Sequence, residues 1–141
     1  MPAVFEKLGV RFEYPDSWKI DEEEARESGD TITVYSPGGA FWTLNIVSEP
    51  GVDPEELTAA SVEAMRDEYD ELDASPVTEM LDGVELTGYD MNFYCLDLTN
   101  TARVRAVERQ QTTYVILCQA EDREFDVVSP VFDAMTASLL R

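Results

Sequence analysis

Thirty aspartates and glutamates against ten lysines and arginines give this 141-residue chain a formal net charge of −20. Such a surface repels the phosphate backbone of nucleic acids and anionic membranes, so neither is an expected partner. A hydrophobic fraction of 44% and an aromatic fraction of 10% are those of a globular protein, and the length fits one domain over residues 1–141 that needs no disulfide or metal staple. The opening residues Met1 to Lys7 lack a basic segment followed by an apolar run, and no apolar stretch approaches a membrane span. No secretory leader is therefore expected, and the expected compartment is the cytoplasm. The acids run along the whole chain, which favours solvation, in a salty habitat among others, over steering of a basic partner.

In chain order, Val10 to Tyr14 alternates as a strand and stops at Pro15. Asp16-Ser17-Trp18 is a turn that plants a tryptophan. Asp21 to Asp30 is charged and reads as loop or short helix. Thr31 to Tyr35 alternates with Ile32 and Val34 on one face, and Phe41 to Val47 with Trp42, Leu44 and Ile46 on one face. Ser36-Pro37-Gly38-Gly39 joins the two into a hairpin. The clearest helix runs from Pro54 to Glu71, with Asp53 as N-cap, proline at its first position and Glu56 completing a capping box. Its apolar stripe is Leu57, Ala60, Ser61, Ala64, Met65 and Tyr69.

Beyond Ser75-Pro76 the chain turns to strands: Val77 to Leu81, the tight turn Asp82-Gly83, then Val84 to Leu98 with a bulge expected at Gly88. Thr99-Asn100 is the next expected turn, followed by Ala102 to Gln110 and a turn at Gln110-Gln111-Thr112. The stretch from Thr113 to Ala120 is apolar almost throughout, the pattern of a central strand covered on both faces. At the end, Asp122 caps a turn through Phe125, and Ser129-Pro130 starts again with Val131, Phe132, Met135 and Leu139 as a stripe. Pro130 is expected to break or kink this terminal helix. The order of elements describes an α/β (α+β) fold, an antiparallel sheet with helices packed on it.

Phe12-Glu13-Tyr14-Pro15-Asp16-Ser17-Trp18 resembles the F-x-Y-P-x-x-W opening of PsbP-like domains. Phe132-Asp133-Ala134-Met135-Thr136-Ala137-Ser138-Leu139 is similar to their final helix. This superfamily contains the photosystem protein PsbP, the Ran-release factor Mog and many bacterial proteins. The resemblance implies an α/β/α sandwich with helices on both faces of the sheet, and an uncharacterised bacterial member that works by binding other proteins. It supplies no catalytic set to carry over, and a histidine-based metal site has no counterpart in a chain without histidine.

The absent histidine also removes Ser-His-Asp and Cys-His catalysis. No glycine loop for phosphate is present. Carboxylates allow an acid–base pair, but solvated helix faces and loops account for them. The stretches Asp21-Glu22-Glu23-Glu24 and Asp67 to Asp73 lack the alternating ligands and glycine of a calcium loop. Cys95 and Cys118 fall on strands separated by another strand, beyond disulfide reach, and are expected as buried free thiols. Trp18 and Trp42 are expected in the core.

One constellation stands out. With Thr99-Asn100 as a two-residue turn, Met91, Phe93 and Cys95 share a face with Val104 and Ala106. The opposite face carries Asp90, Asn92 and Tyr94 beside Arg103, Arg105, Val107 and Arg109, with Asp90 facing Arg109 and Tyr94 facing Arg105. This face is either a sheet surface stapled by cross-strand pairs, a binding surface for an acidic partner or small anion, or a face that a helix covers while the arginines snorkel to its edge. The expectation is a non-enzymatic protein-binding or assembly module, monomeric or homodimeric, with an unknown protein partner and no cofactor or metal. The alternative is a small-ligand-binding protein or a carboxylate-based hydrolase using a sheet-edge cleft.

Overall fold

Strands form wherever apolar and polar residues alternate, and four tight turns fold them back on one another. The structure, a computed structural model, describes residues 2–21, 31–49 and 51–141. Most of the Asp21-Glu22-Glu23-Glu24 stretch therefore lies outside the described residues. The elements are β1 (Pro2–Lys7), β2 (Val10–Pro15), β3 (Lys19–Ile20), β4 (Thr31–Tyr35), β5 (Phe41–Val47), α1 (Pro54–Glu68), β6 (Asp73–Leu81), β7 (Val84–Cys95), β8 (Leu98–Arg109), β9 (Thr112–Glu121) and α2 (Asp122–Leu140). Strands β3 to β9 build a seven-stranded antiparallel sheet in the order β3-β4-β5-β9-β8-β7-β6, and β1-β2 is a separate hairpin. The apolar strand β9 is the central one, as its composition predicts.

Successive side chains of a strand point to opposite faces, so parity assigns the two cores. Val104, Ala106 and Val115 meet Val62 and Met65 of α1 on one face. Ile116 and Cys118 point the other way and meet Phe132, Met135 and Leu139 of α2. The sheet thus carries one helix on each face, and the β1-β2 hairpin adds Phe5, Val10 and Phe12 to the α2 side. Both tryptophans are in this core. Trp42 is fully buried and its Nε1 donates to Thr136 Oγ1 at 3.0 Å, while Trp18 packs edge-on to Phe132.

Several boundaries differ from the sequence expectation. Helix α1 stops at Glu68, and its buried residues are Thr58, Val62 and Met65; Ala60 and Ala64 are exposed. The β7–β8 core selects the branched and long side chains, and Thr58 tolerates burial because its hydroxyl donates to Glu55 O at 3.0 Å. Asp53 caps as expected, through Glu55 N–H at 2.9 Å. Strand β6 begins at Asp73, ahead of Pro76, which an edge strand tolerates. Gly88 marks no bulge: it pairs in register with Arg105, and a Cβ there would lie 1.8 Å from Val104 O. Close backbone approach is the reason for this glycine. Helix α2 runs unbroken through Pro130 and is capped by Glu121, whose carboxylate accepts from Arg123 N–H. Burial of Val128, Phe132, Met135 and Leu139 on one side of it outweighs the single lost backbone bond. Strand β1 was not expected at all.

Candidate functional site

Strands β7 and β8 are the longest of the sheet, at 12 residues each, and the turn between them falls at Leu96-Asp97. Cys95 pairs with Leu98, so Asp90 lies opposite Arg103 and Tyr94 opposite Thr99. The expected pairs, Asp90 with Arg109 and Tyr94 with Arg105, do not form. The displacement is an even number of residues, so the division into faces survives: Met91, Phe93, Ala102 and Val104 line the α1 core, and the arginines point to the α2 side.

Each of the three arginines on that face already has protein partners. Arg105, with 7% of its side chain exposed, donates through Nε to Glu79 Oε1 at 2.7 Å and through Nη2 to Asp90 Oδ1 at 2.6 Å. Its Nη1 donates to the carbonyls of Tyr89 and Val104 at 3.0 and 3.1 Å. Burial works against the charge, but the hydrogen bonds to Glu79 and Asp90 more than offset it, and the guanidinium is held above its usual pKa. Arg103 Nη1 bonds Asp133 Oδ1 at 2.9 Å, and its guanidinium stacks 4.9 Å from the Phe125 ring centre. Arg109 Nη1 donates to Leu140 O at 3.1 Å. Asp133, Phe125 and Leu140 all belong to α2, and the space left between helix and arginines is only about 10 Å³. Asn92 Nδ2 donates to Thr101 Oγ1, which in turn donates to Asp122 Oδ1 at the start of α2.

Tyr94 stands apart from this cluster. Pairing with β6 ends at Asn92 and pairing with β9 ends at Asn100, so residues 94–99 pair only with one another. They form a two-stranded finger overhanging the sheet by about 10 Å at ordinary strand rise. Its base is closed by Tyr69 of the α1 end, whose ring lies 4.3 Å from that of Phe93. Three of its exposed side chains are large and apolar: Tyr94 is 60% exposed, Leu98 46% and Leu96 92%, with Asp97 and Thr99 exposed between them. Both turn residues are left-handed, Leu96 at φ 53° and Asp97 at φ 64°. That conformation suits Asn, Asp or Gly and costs a leucine about 1 kcal/mol. Sequence reasoning missed this turn because it looked for polar turn residues and found them at Thr99-Asn100.

The cysteines are both free; Cys118 is buried and Cys95 half-buried. Burial pushes the Cys118 thiol up to about 12. A second concavity, of about 580 Å³, lies between β2 and α2, with Tyr14, Pro15, Val131 and Met135 as apolar walls and Glu13 and Asp16 at its rim. Among the described residues, no helix is long and apolar enough to cross a membrane.

An antiparallel sheet sandwiched between two helices, with a small extra hairpin, is a PsbP-like fold. The chain is similar to cyanobacterial PsbP (CyanoP) from Synechocystis, with a TM-score of 0.63 at 14% identity over 98% of this chain and 89% of that one. It is similar to a protein of unknown function from Pseudomonas aeruginosa described as a putative regulator, with a TM-score of 0.58 at 12% identity over 99% and 96% of the two chains. A Bacteroides thetaiotaomicron protein matches with a TM-score of 0.67 at 9% identity; this chain spans 46% of its length. No family model and no curated protein matches the sequence.

Proposed function

We propose that this chain is a non-enzymatic protein-binding or assembly module of the PsbP-like / Mog-type superfamily, and that its docking element is the β7–β8 finger. The observation that carries this reading is Leu96, 92% exposed in a backbone conformation that disfavours leucine. Exposure and conformation both work against stability there, so the fold itself gives no reason for a leucine at this position. Of the six residues singled out in the sequence, Tyr94 is assigned to the contact surface. Asp90, Asn92, Arg103, Arg105 and Arg109 hold the ribbon in place. Two free thiols support a reducing, cytoplasmic setting, and the bacterial sources of the similar structures support a bacterial origin.

The test is site-specific photo-crosslinking in extract of the source cells, with the reactive group at Leu96 or at Met80, an equally apolar residue that is 66% exposed on edge strand β6. Protein adducts specific to position 96 are expected. Identical adducts from both positions would sink the assignment.

The cleft between β2 and α2 favours a second reading, a small-ligand-binding protein. Its volume of about 580 Å³ lies within the usual range of ligand pockets. A ligand that raises the melting temperature of the wild type but not of Ala134→Trp, which fills the cleft, is the expected sign. A metabolite screen without any such hit would remove this alternative.

A further inference from the structure

We propose that the finger's partner is a basic protein surface enclosing an apolar socket; this rests on the reading of the finger as the docking element. The charge around the finger carries the inference. Asp97 lies in the turn itself. At its base Asp73 is opposite Asn92, Glu121 opposite Asn100, and Asp122 is tied to Thr101. Asp70 and Glu71 precede β6 and are exposed. Cations at the base are already engaged: Arg123 with Glu121 at 3.1 Å, and Arg66 with the Leu72 carbonyl at 3.1 Å and Glu63 at 3.6 Å. The apolar tip therefore projects from a collar of carboxylates.

This arrangement selects among occupants. An anionic bilayer would accept the leucines but repel the collar. A second copy of the chain brings its own net charge of −20 to the contact. A socket lined by aliphatic or aromatic groups and rimmed by lysine or arginine satisfies both features at once, its apolar walls taking Tyr94 on one face of the finger, Leu98 on the other and Leu96 at the tip, and its rim steering the approach.

The probe is a phage-displayed library of random short peptides, panned on the immobilised full chain. Enriched peptides are expected to combine net positive charge with several apolar residues. Their affinity should fall about tenfold or more for Leu96→Asn and for Leu98→Ser, and about tenfold between low salt and about 0.5 M salt. Both variants should melt no lower than about the wild-type temperature, because neither residue is in the core. Peptides lost on the variants but lacking positive charge would overturn the basic-partner assignment and leave the finger as the docking element. Peptides that bind the variants as well as wild type, or failure to enrich any, would overturn both. Flotation of the chain with phosphatidylcholine vesicles, lost in Leu96→Asn, would replace the protein partner with a membrane.

Discussion

The base and the tip of the β7–β8 ribbon reverse the usual distribution of side chains in opposite ways. At the base a guanidinium is inside: Arg105 is buried, yet four of its five N–H donors are used by Glu79, Asp90 and two carbonyls. At the tip apolar groups are outside: Leu96 is in water on a turn whose left-handed backbone disfavours leucine, and Leu98, the first residue of β8, is half exposed beside it. A buried charge so partnered is a completed interaction and has nothing to offer a ligand. An exposed apolar tip is an incomplete one. The residues that look most chemical in the sequence are thus spent on holding the ribbon, and the most ordinary ones are left free to bind.

The base is the easier region to break. Arg105→Ala removes the positive centre of the clasp and leaves two backbone carbonyls short of a donor, and should cost about 3 kcal/mol in urea unfolding. Arg105→Met loses the same charge but fills the space that alanine leaves, and should cost less; Glu79 and Asp90 are partly exposed and hydrate in both variants. Equal losses in the two variants would show that the charge and its hydrogen bonds, not packing, hold the base. Gly88→Ala drives a methyl into Val104 O and should cost about 2–3 kcal/mol, with lost amide protection between β7 and β8 as its mark.

Cys118, on the neighbouring strand, gives a pH test of the same covered face. The folded thiol keeps its proton to about pH 12 while the unfolded one loses it from about 9, so the unfolded state gains by ionising first. Stability should be unaffected below pH 9 and then fall on the order of 1 kcal/mol per pH unit, relative to Cys118→Ala. Parallel pH curves for the two proteins would mean that the α2 side admits water. The smallest effect belongs to the tip and has the opposite sign. Leu96→Asn should stabilise by about 0.5–1 kcal/mol in thermal unfolding, since asparagine accepts a positive φ. Destabilisation by that change would mean that Leu96 packs on its own chain, and would end the contrast between base and tip.

The sequence discloses what periodicity controls. Ile32 and Val34, Trp42 and Leu44, and the unbroken apolar run of β9 each give their strand and their face. Even the ribbon's faces came out right under a wrong register, because an even slip leaves parity intact. What failed were choices made by distant contacts. Thr58 and Val62, not Ala60 and Ala64, face inward because of the sheet opposite them. Pro130 is tolerated because Phe132 and Met135 anchor the helix around it. The arginine face was legible as a cluster, but its burial under α2 was one of three open outcomes. The finger was invisible, since an exposed leucine in a turn follows no period and breaks the turn rules that would locate it.

The order of assembly follows from one remote hydrogen bond. Glu13 N–H donates to Ser138 Oγ at 2.8 Å, joining β2 to α2 across 125 residues of chain. Strands β6 to β9 follow one another through short turns and can zip together locally, whereas the first hairpin rests on Trp42 of β5 and on the last helix, both distant in sequence, and its seat is complete only when that helix is in place. The first hairpin is therefore the latest of these segments to dock. Pulse-labelled exchange should find the amides of β7 and β8 protected before that of Glu13, and simultaneous protection would contradict this sequence of events.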